Sequence, residues 1–166
     1  MDAAILVAVI LAQVTGMSGT DRPIPACTAV RCEGRRIKDN LGVLQFCVPR
    51  GLKVRREVGE HGDVHYAITA RLHSQSFDMI VTSGPYFPGK VPSWANGCDL
   101  SRWHTPESRG EDCHLVRGDV HSRYMTLNTP MGYAQYKDVP REVAVRFDRL
   151  LDSLCWGDLN AVMASQ

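Results

Sequence analysis

Apolar and polar residues alternate along most of this chain. Leu44, Phe46 and Val48 alternate with Gln45 and Cys47, the two-residue period of a half-buried strand. Leu52, Val54 and Val58 alternate with Lys53, Arg55 and Glu57, with Arg56 interrupting the inward set. Val64, Tyr66, Ile68, Ala70 and Leu72 form the cleanest run, and Phe77, Met79 and Val81 the next. Segments 115–128 and 132–137 resume the pattern, the first broken near Gly118-Asp119. Turn residues separate these runs at Pro49-Arg50-Gly51, at Gly59 to Asp63 and at Ser83-Gly84-Pro85. From Tyr86 to Asp112 no period persists and Gly and Pro recur, which predicts a long loop. The polar stretch from Arg31 to Asn40 predicts no element.

Near the end the period changes from two to 3.6. Val143, Phe147, Leu150, Leu151 and Leu154 fall on one helical face, with Arg141, Glu142, Arg146, Arg149 and Asp152 on the other. Asp138 and Pro140 suit the start of this helix and Gly157 its stop. The pattern predicts an α+β domain: an antiparallel sheet of five to seven strands covered by a C-terminal amphipathic helix.

The leading residues stand apart. Ala3 to Val14 carries no charge and as a helix reaches about 18 Å, too short to span a membrane. It reads as the apolar core of a signal peptide. The expected division is a signal peptide over 1–20, an N-terminal extension over 21–40, one α+β domain over 41–157 and a tail over 158–166. No transmembrane span is expected in the mature chain.

Six cysteines behind such a leader read as disulfides in an oxidising compartment, periplasmic or secreted. Cys98 and Cys113 are expected to pair, because they bracket a Gly- and Pro-containing excursion. Cys27, Cys32, Cys47 and Cys155 are left with their pairing open. Two of these lie near the N-terminus, one on a strand facing away from Leu44, Phe46 and Val48, and one on the final helix. They suggest staples from the chain ends to the sheet.

The run Leu44-Gln45-Phe46-Cys47-Val48-Pro49-Arg50-Gly51-Leu52, the hairpins after it and the closing helix with Phe147, Leu150, Leu151 and Leu154 carry a resemblance. Over most of 41–156 the chain resembles PsbP/Mog1-type small α+β domains. The resemblance implies a non-enzymatic assembly or docking module and assigns no residues.

A formal charge of +1 conceals an asymmetry. Residues 22–56 hold nine basic residues against Glu33 and Asp39, a net of +7, whereas 57–166 hold ten basic and fourteen acidic, a net of −4. Lys53 and Arg55, near Arg31, Arg35 and Arg36, are candidates to meet an anionic surface. Tyr86, Phe87, Trp94, Trp103 and His104 offer an aromatic binding surface on the predicted loop. His61, Asp63 and His65 share one parity at a turn and are candidate metal ligands. Arg117-Gly118-Asp119 spells the integrin-binding tripeptide, and a turn between two strands accounts for it.

The sequence has no nucleophile elbow, phosphate loop, dinucleotide fingerprint or His-Glu-x-x-His. The expectation is an exported binding or docking module without a cofactor. Its partner would be a protein or an anionic envelope component, not nucleic acid. The alternative is a small secreted hydrolase or metal-dependent enzyme using His61, Asp63 and His65.

Overall fold

The computed structural model describes residues 21–38, 44–83, 92–106, 108–128 and 131–157. The leader, the tail, and Tyr86 and Phe87 of the aromatic set lie outside the described residues. Eleven strands and one α-helix follow in order among the described residues: β1 (Asp21–Pro23), β2 (Arg35–Lys38), β3 (Leu44–Val48), β4 (Lys53–Val58), β5 (Val64–Leu72), β6 (Gln75–Ser83), β7 (Asp99–His104), β8 (Arg109–Arg117), β9 (Val120–Asn128), β10 (Met131–Pro140), α1 (Arg141–Asp152) and β11 (Cys155–Trp156). Two short 3-10 turns, Cys27–Ala29 and Ser93–Ala95, complete the set.

The expected α+β class holds, but the expected strand count is too low. Eight strands form one sheet in the order β1-β7-β8-β9-β10-β6-β5-β4, and β11-β3-β2 form a second. Two antiparallel meanders, β4 to β6 and β7 to β10, join where β10 pairs with β6. At the far edge β1 lies parallel to β7.

The missed strands lack alternation for physical reasons. In β2 only Ile37 is apolar and buried. The loop predicted across 86–112 contains β7 and the start of β8, and in β7 Trp103 is the one buried residue. Backbone pairing to β8 on one side and β1 on the other holds β7 in place, not an apolar face. Residues 21–38, expected as an extension, supply one strand to each sheet.

One face of the large sheet carries the core. Val64, Tyr66, Ile68 and Ala70 of β5 point inward with Met79, Val81, Met125, Leu127, Ala134 and Tyr136. The apolar face of α1, built from Val143, Ala144, Phe147, Leu150 and Leu151, covers this surface. Phe147, Leu150 and Leu151 are wholly buried, each contributing about 1.5–3 kcal/mol by removal from water. The helix touches β5, β9 and β10 of the large sheet and β3 of the small one. The Tyr66 hydroxyl donates to the Lys38 carbonyl at 2.8 Å and ties the small sheet down.

The helix ends at Asp152, five residues before the expected Gly157. There the Ser153 N–H donates to the Leu150 carbonyl and the Leu154 N–H to the Leu151 carbonyl, and the chain turns out into β11 beside β3. Cys155 therefore sits on a strand rather than on the helix. It joins Cys27 in a disulfide that links positions 128 residues apart. Cys32 pairs with Cys47 and Cys98 with Cys113, leaving no free cysteine. No helix among the described residues is long and apolar enough to cross a membrane.

Candidate functional site

The N-terminal segment, the end of β3 and the end of α1 meet around an open cleft of about 860 Å³. Its lining includes Arg31, Glu33, Arg50 and Arg149 together with Cys32 and Cys47. Each wall has its own anchor. The Cys32–Cys47 disulfide clips the 31–34 segment to β3. Gly34 lets the backbones approach, because a Cβ there would stand 1.8 Å from the Val48 carbonyl oxygen. Arg36 donates to the carbonyls of Val30 at 2.8 Å and Cys27 at 3.3 Å and so fixes the preceding loop. On the helix side, the Cys47 N–H donates to the Ser153 hydroxyl oxygen at 2.7 Å, and that hydroxyl donates to the Leu150 carbonyl at 2.6 Å.

Arg31, Arg50 and Arg149 are exposed and take part in no ion pair or side-chain hydrogen bond among the described residues. Three guanidinium groups against the one carboxylate of Glu33 leave the cleft with a formal charge of +2. An adjoining groove of about 470 Å³ shares Glu33, Gly34, Pro49 and Arg50 and adds Arg35, Leu52 and Val54. It runs toward β4, where Lys53 is exposed and Arg55 is paired with Glu57 at 3.0 Å. The arrangement suits a planar anion, since guanidinium forks match carboxylate and phosphate oxygens.

The described members of the aromatic set, Trp94, Trp103 and His104, do not form one surface. Trp103 is 1% exposed, which overturns its expected place on a binding loop. Its indole lies against Gly110, where a Cβ would come within 2.2 Å of the ring, and its Nε1–H donates to the Thr126 carbonyl at 3.0 Å. Trp94 packs half-buried in a separate small cluster with Ala95, Cys113 and Tyr124. His104 faces Asp21 across the β1–β7 edge at 2.9 Å and borders an open pocket of about 550 Å³ with Arg102 and Arg109.

His65 is sandwiched at the start of β5. Its Nε2 meets the Asp63 carboxylate and its Nδ1 stands 3.0 Å from the Thr82 hydroxyl. Burial pushes the Asp63 carboxyl up, but backbone N–H groups of Asp63 and His61 and the His65 ring together hold its pKa below the ordinary value. The row Asp63–His65–Thr82 has the order of a nucleophile relay, yet Thr82 is wholly buried and presents no oxygen to a substrate. No group of three or more metal-ligating side chains occurs among the described residues.

A second ionic site escaped the sequence reading. Arg123 of β9 is 1% exposed beneath α1. Its Nε and Nη2 donate to the two oxygens of Asp112 at 2.9 and 2.6 Å, and its Nη1 and Nη2 reach Asp148 at 3.0 Å and Asp152 at 2.8 Å. The Tyr136 hydroxyl donates to Asp148 at 2.8 Å. Arg22 and His114 add contacts to Asp112 at 3.7 and 3.2 Å. Burial alone would raise the Asp112 pKa, but Arg123 and His114 hold it far below the carboxylate range. Burial, reinforced by the Asp148 charge, pushes the Tyr136 phenol well up. A signal was present: Arg123 shares the strand parity of Met125 and Leu127, and Asp148 and Asp152 stand one helical turn apart.

No family model matches this sequence, and neither a curated protein nor a solved structure shows significant similarity to it. The likeness to PsbP/Mog1-type domains therefore rests on the residue pattern alone.

Proposed function

We propose that this chain is an exported, disulfide-stabilised binding or docking module of the cell envelope or secreted space, and that its basic cleft takes an anionic group of the partner. The observation that carries the reading is the meeting of Arg31, Arg50 and Arg149, three guanidinium groups unpaired among the described residues and drawn from the N-terminal segment, the turn after β3 and the helix. A cleft of about 860 Å³ lies within the size range of small-ligand sites. Three disulfides support an oxidising compartment, and the uncharged Ala3–Val14 run supports export. The binding surface thus moves from the aromatic residues to the basic segment.

Titration with short-chain polyphosphate at low salt tests it. Wild type is expected to bind saturably and to weaken as salt rises. Arg50→Ser with Arg149→Ser is expected to lose about tenfold or more, because each charge-assisted contact contributes about 1.5–3 kcal/mol. Lys53→Ser with Arg55→Ser is expected to bind nearly as wild type. Absence of binding, or binding indifferent to Arg50 and Arg149, refutes the reading.

A further inference from the structure

The three disulfides differ in access. In Cys27–Cys155 and Cys98–Cys113 one sulfur is sealed, with Cys155 and Cys113 each 1% exposed. Cys32 and Cys47 are both half-buried, and both line the basic cleft. We infer that Cys32–Cys47 is a redox-exchangeable bond, the site at which an external dithiol acts on this protein. The inference rests on the exposure of both cysteines and the charge of the cleft they line, and not on ligand binding there.

The step balances with the dithiol as reductant. Its thiolate attacks one cysteine sulfur through the open cleft, a new S–S bond forms, and the Cys32–Cys47 bond breaks with its electron pair on the departing sulfur. The second thiol of the reductant, as thiolate, then attacks its own sulfur in the mixed disulfide and releases the other cysteine. The protein gains two electrons, the reductant leaves as an intramolecular disulfide, and solvent supplies protons to the cysteines.

Two features of the cleft favour this route. Both cysteines are half-buried and line the open cleft, and the rate of exchange depends on access and on the stability of the leaving thiolate. Arg31, Arg50 and Arg149 line the same cleft, and positive charge near a thiolate lowers a cysteine pKa. Arg36 also faces Cys155, at 3.5 Å from its sulfur. That bond offers an attacking thiolate one accessible sulfur instead of two. Opening Cys32–Cys47 releases the clip that holds Arg31 and Glu33 against β3, so reduction dismantles one wall of the cleft.

The test treats the folded full chain with limiting dithiothreitol at neutral pH, traps free thiols with N-ethylmaleimide and maps the labelled cysteines by mass spectrometry. Cys32 and Cys47 are expected to label together, about tenfold or more ahead of the other four. Earlier labelling of either other pair, or one common rate for all three, overturns the inference. Arg50→Ser with Arg149→Ser is expected to slow labelling of Cys32 and Cys47 several-fold at low salt, with the gap narrowing as salt is added. An unchanged rate in that variant overturns the role given to the arginines. Because the readout is thiol labelling, it is independent of polyphosphate binding.

Discussion

Arg123 and the trio Arg31, Arg50 and Arg149 carry the same guanidinium group in opposite settings. Arg123 lies under the helix with three aspartates in hydrogen-bond reach. The trio stands exposed around a cleft with one carboxylate, Glu33, on its lining. Burial and satisfaction separate a charge that belongs to folding from one open to a partner. The buried site ties α1 to the sheet; the open one is where recognition is proposed.

The contrast breaks most sharply at Arg123. Arg123→Ala is expected to cost about 3–5 kcal/mol, because it leaves the buried Asp112 carboxylate without its main partner; urea unfolding measures it, and a loss under about 1 kcal/mol would place the cluster among solvent-screened pairs. A parallel contrast separates the tryptophans. Trp103→Ala is expected to cost about 3–5 kcal/mol as a core truncation, with half-buried Trp94→Ala costing clearly less in the same assay.

Asp112 sharpens the comparison through pH. Its folded-state pKa lies below its unfolded value of about 4. The stabilisation is therefore complete above about pH 4 and fades as pH falls toward the folded-state value. Asp112→Asn is expected to lose about 1–3 kcal/mol at pH 7. Unfolding midpoints followed from pH 7 to 2 should show the two proteins converging below about pH 4, and parallel curves would refute the assignment. At the small end, Arg50→Ser and Arg149→Ser are each expected to change stability by less than about 0.5 kcal/mol. A larger loss would show that the cleft arginines help hold the fold.

What the sequence made legible follows the same division. Val64 to Leu72 and the Val143–Leu151 face could be read because burial on one side writes a period into the residue order. β2 and β7 could not, since backbone pairing holds them and a single buried side chain, Ile37 or Trp103, leaves no period. Trp103 was misplaced for that reason: among Gly, Pro and charged residues a tryptophan resembles a surface aromatic, and only the register with Gly110 turns it inward. The basic excess of 22–56 was visible as a count. Its focus was not, because Arg149 joins from a helix nearly a hundred residues further along the chain.

The Cys27–Cys155 bond also has a mechanical meaning. Together with the Ala26–Trp156 bridge, it closes the chain between Cys27 and Cys155 into one covalent loop, with β1 standing outside it. Tension applied to the flanking segments passes from one to the other through a single covalent link. The strands from β2 to β10 and the helix lie inside that loop and are shielded once β1, which pairs with β7 outside it, has peeled away.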